Sequence, residues 1–108
     1  MIYKAVYRYA RISPQKARLI ADLVRNKTVD EALSVLRFQP QRAARMLEQV
    51  IRSALANAED KRAADPGRLS VVEVCVDGGP VMKRMRPKSR GMSSIILKRS
   101  SHIRVTLG

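Results

Sequence analysis

Apolar and polar positions alternate loosely from Ile2 to Ala10. Tyr3, Ala5, Tyr7 and Tyr9 share one parity, and Lys4 and Arg8 share the other. This predicts a strand with a basic face. Aromatic rings usually carry core area, so the tyrosines are expected to pack on a helix in preference to stacking on bases. Ser13-Pro14 is a helix-start signal, with Ser13 as cap and proline at the first helical position. Ala17, Ile20, Ala21 and Val24 then form an apolar stripe, flanked by Leu19 and Leu23, and Asn26-Lys27 ends it. Thr28-Val29-Asp30-Glu31 reads as a capping box before a short helix containing Ala32, Leu33, Val35 and Leu36. Pro40 is expected to open a long helix. Its apolar positions Ala43, Ala44, Leu47, Val50, Ile51, Ala54, Leu55 and Ala58 recur at helical spacing to about Lys61. Arg42, Arg45, Glu48 and Arg52 fall on its outer face, where Glu48 and Arg52 stand four apart as a favourable surface pair.

The period then changes. Ala64-Asp65-Pro66-Gly67 predicts a turn, and Leu69 to Val76, rich in valine, a strand buried on at least one face. Gly78-Gly79-Pro80 marks a bulge or bend. The chain runs extended through Val81 to Arg86, turns at Pro87-Lys88-Ser89-Arg90-Gly91, and returns as a strand from Ser94 to Leu107. On that strand Ile103, Val105 and Leu107 alternate with His102, Arg104 and Thr106. The fold class expected is α+β, with three helices packed on one face of a three-stranded antiparallel sheet and a long projecting β-hairpin. At this length the chain is one domain, with residues 1–79 and 101–108 as the globular part and 80–100 as the hairpin. A strand from Ser70 to Pro87 would span roughly 55 Å at about 3.3 Å per residue, far beyond a globular part whose radius of gyration should be about 11 Å. The outer ribbon must therefore project. It has few apolar groups, so it is expected to be poorly ordered alone and ordered by a partner.

Charge says what that partner is. The chain has 22 Lys and Arg against 9 Asp and Glu, and every carboxylate lies between Asp22 and Asp77. The net +13 thus comes from the two ends. Like charges segregated in this way repel one another in a lone protein, and a polyanion removes the penalty. Nucleic acid is the default and an anionic membrane the rival; no apolar run approaches the roughly 20 residues of a membrane-spanning helix. With no apolar leader at its start and a single cysteine, the chain reads as soluble and cytosolic. Cys75 is expected to be a small buried strand residue. One cysteine and one histidine make no zinc site, and no cofactor motif appears.

Two regions carry the chemistry. At the first helix start, Arg11, Lys16 and Arg18 crowd around Ser13, where the helix dipole is already positive. A bound phosphate reverses that conflict, using free N–H groups as well as side chains. In the hairpin, Lys83, Arg84, Arg86, Lys88 and Arg90, with Lys98 and Arg99 on the return, suit phosphates. The tip holds no aromatic residue, which turns it away from single strands and toward the backbone and shape of folded RNA. Met82, Met85 and Met92 are either an adaptable contact surface or filler beneath the arginines. His102 is a hydrogen-bonding or RNA-contacting histidine rather than a general base, and the chain is not expected to be an enzyme or to take a small-molecule substrate.

Arg11-Ile12-Ser13-Pro14-Gln15-Lys16-Ala17-Arg18-Leu19-Ile20-Ala21-Asp22 resembles the opening helix of the large-subunit ribosomal protein L-twenty-two family. Ser53 to Glu59 resembles the end of that family's long helix. Val76-Asp77-Gly78-Gly79-Pro80, Met82-Lys83-Arg84 and Lys98-Arg99-Ser100-Ser101-His102-Ile103 resemble its hairpin. The resemblance implies a bacterial, non-enzymatic constituent of the large ribosomal subunit, in the cytoplasm. It would bind large-subunit (23S) rRNA, act early in assembly, and line the polypeptide exit tunnel with its hairpin. The tip would run from Met82 through Lys83, Arg84, Met85, Arg86, Pro87, Lys88, Ser89 and Arg90 to Gly91. Neighbouring ribosomal proteins and the nascent polypeptide are the further partners implied. The rivals are a DNA-bending protein with basic β-arms, which would need an apolar wedge and a symmetric pair, and a basic nuclease.

Overall fold

A computed structural model describes residues 2–62, 66–87, 91 and 93–108. Strand β1 (Tyr3–Ala10) leads into helices α1 (Pro14–Val24), α2 (Val29–Arg37) and α3 (Arg42–Asp60). A 3-10 turn (Pro66–Arg68) precedes β2 (Val71–Gly78), β3 (Met82–Pro87), β4 (Ser93–Lys98) and β5 (Ser101–Leu107). β5 is the central strand of an antiparallel sheet ordered β1-β5-β2. The helices cover one face of it, which is the α+β arrangement expected. Tyr3, Ile20, Val24, Leu36, Leu47, Ile51, Val71, Val74, Ile103, Val105 and Leu107 form one buried core between the layers.

The second sheet is the ribbon β3-β4, paired antiparallel from Met82↔Lys98 to Pro87↔Ser93. It draws the molecule out to 64 × 24 × 17 Å with a radius of gyration of 16.8 Å. A compact chain of this length would have about 13 Å, so the ribbon does project. The returning arm is two strands rather than one. It breaks at Arg99-Ser100, opposite the Gly79-Pro80 interruption, so the ribbon and the globular sheet are separate ladders. Two hydrogen bonds close that junction: Gly79 N–H donates to Ser100 O (2.9 Å), and Ser100 Oγ donates to Pro80 O (2.7 Å). A Cβ on Gly79 would stand 2.5 Å from Ser100 Oγ, so close approach explains this glycine.

Several boundaries move from those the pattern predicts. β2 runs two residues later than Leu69–Val76, because Leu69 and Ser70 are used elsewhere: Val29 N–H donates to Leu69 O, and Ser70 pairs with Gly108. α3 starts at Arg42 with Gln41 as its cap, so Pro40 precedes the helix rather than opening it. Ser13 occupies the cap position of α1, but its side chain makes no capping bond. Thr28 does cap α2, its Oγ1 accepting from Glu31 N–H (3.3 Å). Cys75 is not a core residue. Val74 and Val76 take the inward parity of β2, leaving Cys75 half-buried on the outer face. There its Sγ donates to Glu73 Oε1 (2.8 Å). The predicted turn residues Ala64 and Asp65, the tip residues Lys88, Ser89 and Arg90, and Met92 lie outside the described residues.

Candidate nucleic-acid interface

β1 does not stay regular to its end. Tyr3 and Tyr7 face the helices, but one extra residue enters β1 between Tyr7 and Ala10 against β5, where Tyr7↔Ile103 is followed by Ala10↔Ser101. Such a bulge re-aims a side chain. Here Tyr9 takes a left-handed backbone (φ 57°) and turns outward, 63 % exposed, instead of packing on a helix. His102 secures it. Tyr9 N–H donates to His102 Nδ1 (3.1 Å), and the two rings meet edge to face with centroids 4.8 Å apart. Just beyond, Ser101 Oγ donates to Ile12 O (2.6 Å), fixing the segment that leads into α1.

That segment forms one wall of an open groove of about 1040 Å³. Arg11, Ser13 and Lys16 come from the start of α1, Gln41 and Arg42 from the start of α3, and Lys98 and Arg99 from the root of the ribbon. Tyr9, Ile12, Leu19, Met82 and Leu97 give it apolar surface. No carboxylate is among the described residues that line it. Neither helix has an acidic residue in its first turn or a side-chain cap. The partial positive charge of two helix ends therefore adds to five cationic side chains. The charge segregation seen along the chain is thus a spatial fact. The two basic ends, which would be held apart if each stayed on its own element, meet at the hinge between domain and ribbon.

The family described as Ribosomal protein L22p/L17e matches residues 5–108. The chain is 54% identical to the large ribosomal subunit protein uL22 of Rhodopirellula baltica, over 97% of this chain and 92% of that protein. It is 54% identical to the protein of the same name from Rubrobacter xylanophilus, over 97% of this chain and 83% of that one. It is 51% identical to that of Syntrophotalea carbinolica, over 96% and 94%. The chain belongs to this ribosomal protein family.

For a ribosomal protein of this family the distribution of the predicted residues is informative. Arg11, Ser13, Lys16, Lys98 and Arg99 share the groove. Arg18 does not join them. Its Nε and Nη2 both donate to Val76 O (3.2 and 2.9 Å), which ties α1 to the free edge of β2. His102 is half-buried behind Tyr9. On β3, Met82, Lys83 and Met85 are exposed, Met85 at 73 %. Arg84 and Arg86 lie in the same strand, and Gly91 near the turn takes a left-handed φ of 71° that favours glycine. Two contributors were not singled out by pattern. Arg42 sat on what reads as a solvated helix face, and Tyr9 had core parity; only the bulge and the packing of α3 bring them to the groove. Outside it, Arg104 is paired on the outer sheet face. The neighbouring Cys75 side chain, and then Asp77 (3.9 Å away), raise its pKa above the ordinary guanidinium value. Among the described residues there is no cluster of three metal-ligating side chains and no helix long and apolar enough to cross a membrane.

Proposed function

We propose that this chain is an rRNA-binding structural constituent of the large ribosomal subunit. In this reading the groove at the hinge takes rRNA backbone, assisting early assembly of the subunit. The ribbon reaches inward along the polypeptide exit tunnel, where its tip meets the nascent chain. The observation that carries it is the acid-free groove, in which five cations from three separate elements converge beside two uncapped helix starts. That constellation suits a polyanion whose phosphates are spaced along a folded surface. A ribbon that extends the molecule to 64 Å suits a narrow space between RNA helices better than a free existence in water. Membership of the family supports the same reading, since the relatives named above are large-subunit proteins.

The test is binding and sedimentation. The protein should co-sediment with large subunits after a high-salt wash, and should prefer folded large-subunit rRNA to duplex DNA at physiological salt. Changing Lys83, Arg84, Arg86 and Lys88 to glutamine should flatten the dependence of log K on log salt by about 0.7–0.9 for each phosphate no longer neutralised. Equal affinity for the two nucleic acids would overturn the reading in favour of DNA bending. A photo-crosslinking group at Met85 that never labels a stalled nascent chain in assembled ribosomes would remove the tunnel role alone.

A further inference from the structure

The apolar part of the groove has no use for a phosphate. Ile12, Leu19 and Met82 sit among the cations, and Leu19 is 67 % exposed on an otherwise amphipathic helix. Duplex backbone presents sugar and phosphate and would leave that surface unmatched. An unstacked nucleotide presents both a flat apolar base and a charged link. At about 1040 Å³ the groove is slightly larger than the roughly 300–1,000 Å³ typical of ligand pockets, room enough for a nucleotide.

Tyr9 is the aromatic ring in this groove, and it is held there at a conformational cost. A non-glycine residue at φ 57° is uncommon, and such outliers persist where the surroundings fix them. Here the bulge, the Tyr9 N–H bond to His102 Nδ1 and the edge-to-face contact do so. A T-shaped contact on one side leaves most of the ring in solvent. A rigid, exposed ring beside a cationic wall is what stacking on a base requires, and its fixed position spares ordering entropy on binding.

We propose that Tyr9 is a stacking platform for one unstacked nucleobase of the bound RNA, with the flanking phosphates on the cations of the groove. This rests on the rRNA-binding reading above and adds a nucleotide-sized subsite to it. The tip contributes backbone contacts; the single-strand contact is at the hinge.

The full-length protein and large-subunit rRNA test it. Tyr9→Phe keeps the ring and should bind like wild type. Tyr9→Gly removes the ring, accepts the left-handed backbone without strain and should weaken binding roughly tenfold at fixed salt, with the salt slope unchanged. Irradiation at 254 nm should yield a Tyr9–nucleotide adduct in the wild-type complex, located by mass spectrometry. Tyr9→Gly binding within twofold of wild type, together with no adduct at Tyr9, overturns the subsite and leaves rRNA binding standing. Loss of affinity with a flattened slope also overturns it, because Tyr9 would then act only by placing the cations. Failure of the wild-type protein to bind the rRNA at all removes both readings.

Discussion

Arg45 illustrates how a single side chain can be misread from its position on a helix. Its spacing puts it on the outer face of α3, and there it does form an ion pair with Glu48 (2.9 Å). The same guanidinium also donates to Leu36 O (2.6 Å), Arg37 O (3.2 Å) and Gln39 O (2.6 Å), carbonyls at and just beyond the end of α2. Arg45 is thus the C-terminal cap of a neighbouring helix. Arg45→Ala should lower stability by about 1–2 kcal/mol, since bonds from charged donors are worth more than neutral ones but these are half exposed. Arg52→Ala, which removes only a surface pair (3.3 Å), should be nearly silent. Equal urea midpoints for the two variants would contradict the capping role. Local residue-scale chemistry was legible in the Thr28 cap but not at Ser13, which takes the cap position of α1 without a capping bond. Residue-scale chemistry was illegible for Arg45, Arg18 and Tyr9, whose partners are distant in sequence or depend on one inserted residue.

At the scale of elements, β2 is an edge strand with a natural hazard. Its outward carbonyls offer a template for another strand. α1 lies along that edge and occupies it: Arg18 takes Val76 O, Arg25 Nη2 takes Val74 O (2.9 Å), and Asn26 N–H takes Val71 O (3.0 Å). Asp22 in turn pairs with Arg25. The double variant Arg18→Ala, Arg25→Ala should lose about 1–3 kcal/mol and should self-associate as concentration rises. Sedimentation velocity and urea unfolding read the two effects. A monomer of unchanged stability would show that the guanidinium bonds are incidental. The elements themselves were legible because their periods are strong, 3.6 in α1 and α3 and 2 in β5. Their ends were not, because tertiary hydrogen bonds decide whether Leu69, Ser70 or Pro40 belongs to an element.

At the scale of the whole molecule, the basic groove gathers five of the cations of a chain whose net charge is +13. Removing four of them, by changing Arg11, Lys16, Arg42 and Arg99 to glutamine, should have opposite effects on binding and folding. The salt slope for rRNA should fall by about 3 if each touches a phosphate, whereas the free protein should be no less stable, since mutual repulsion is relieved. A variant that unfolds more readily and binds as before would invert this assignment. The linear sequence showed two basic ends but not that they meet. Their meeting depends on β5, which pairs with β1 through partners such as Tyr3↔Leu107 and with β2 on its other side. This has a consequence in time. β1 is made first, yet it finds its partner only when Ser101 to Leu107 have been made, and the residues that hold Tyr9 and Ile12 in place are Ser101 and His102 themselves. A chain cut short before Ser101 would have its cations but no hinge to gather them. The order of strands in the sheet therefore makes the basic groove a property of the finished chain.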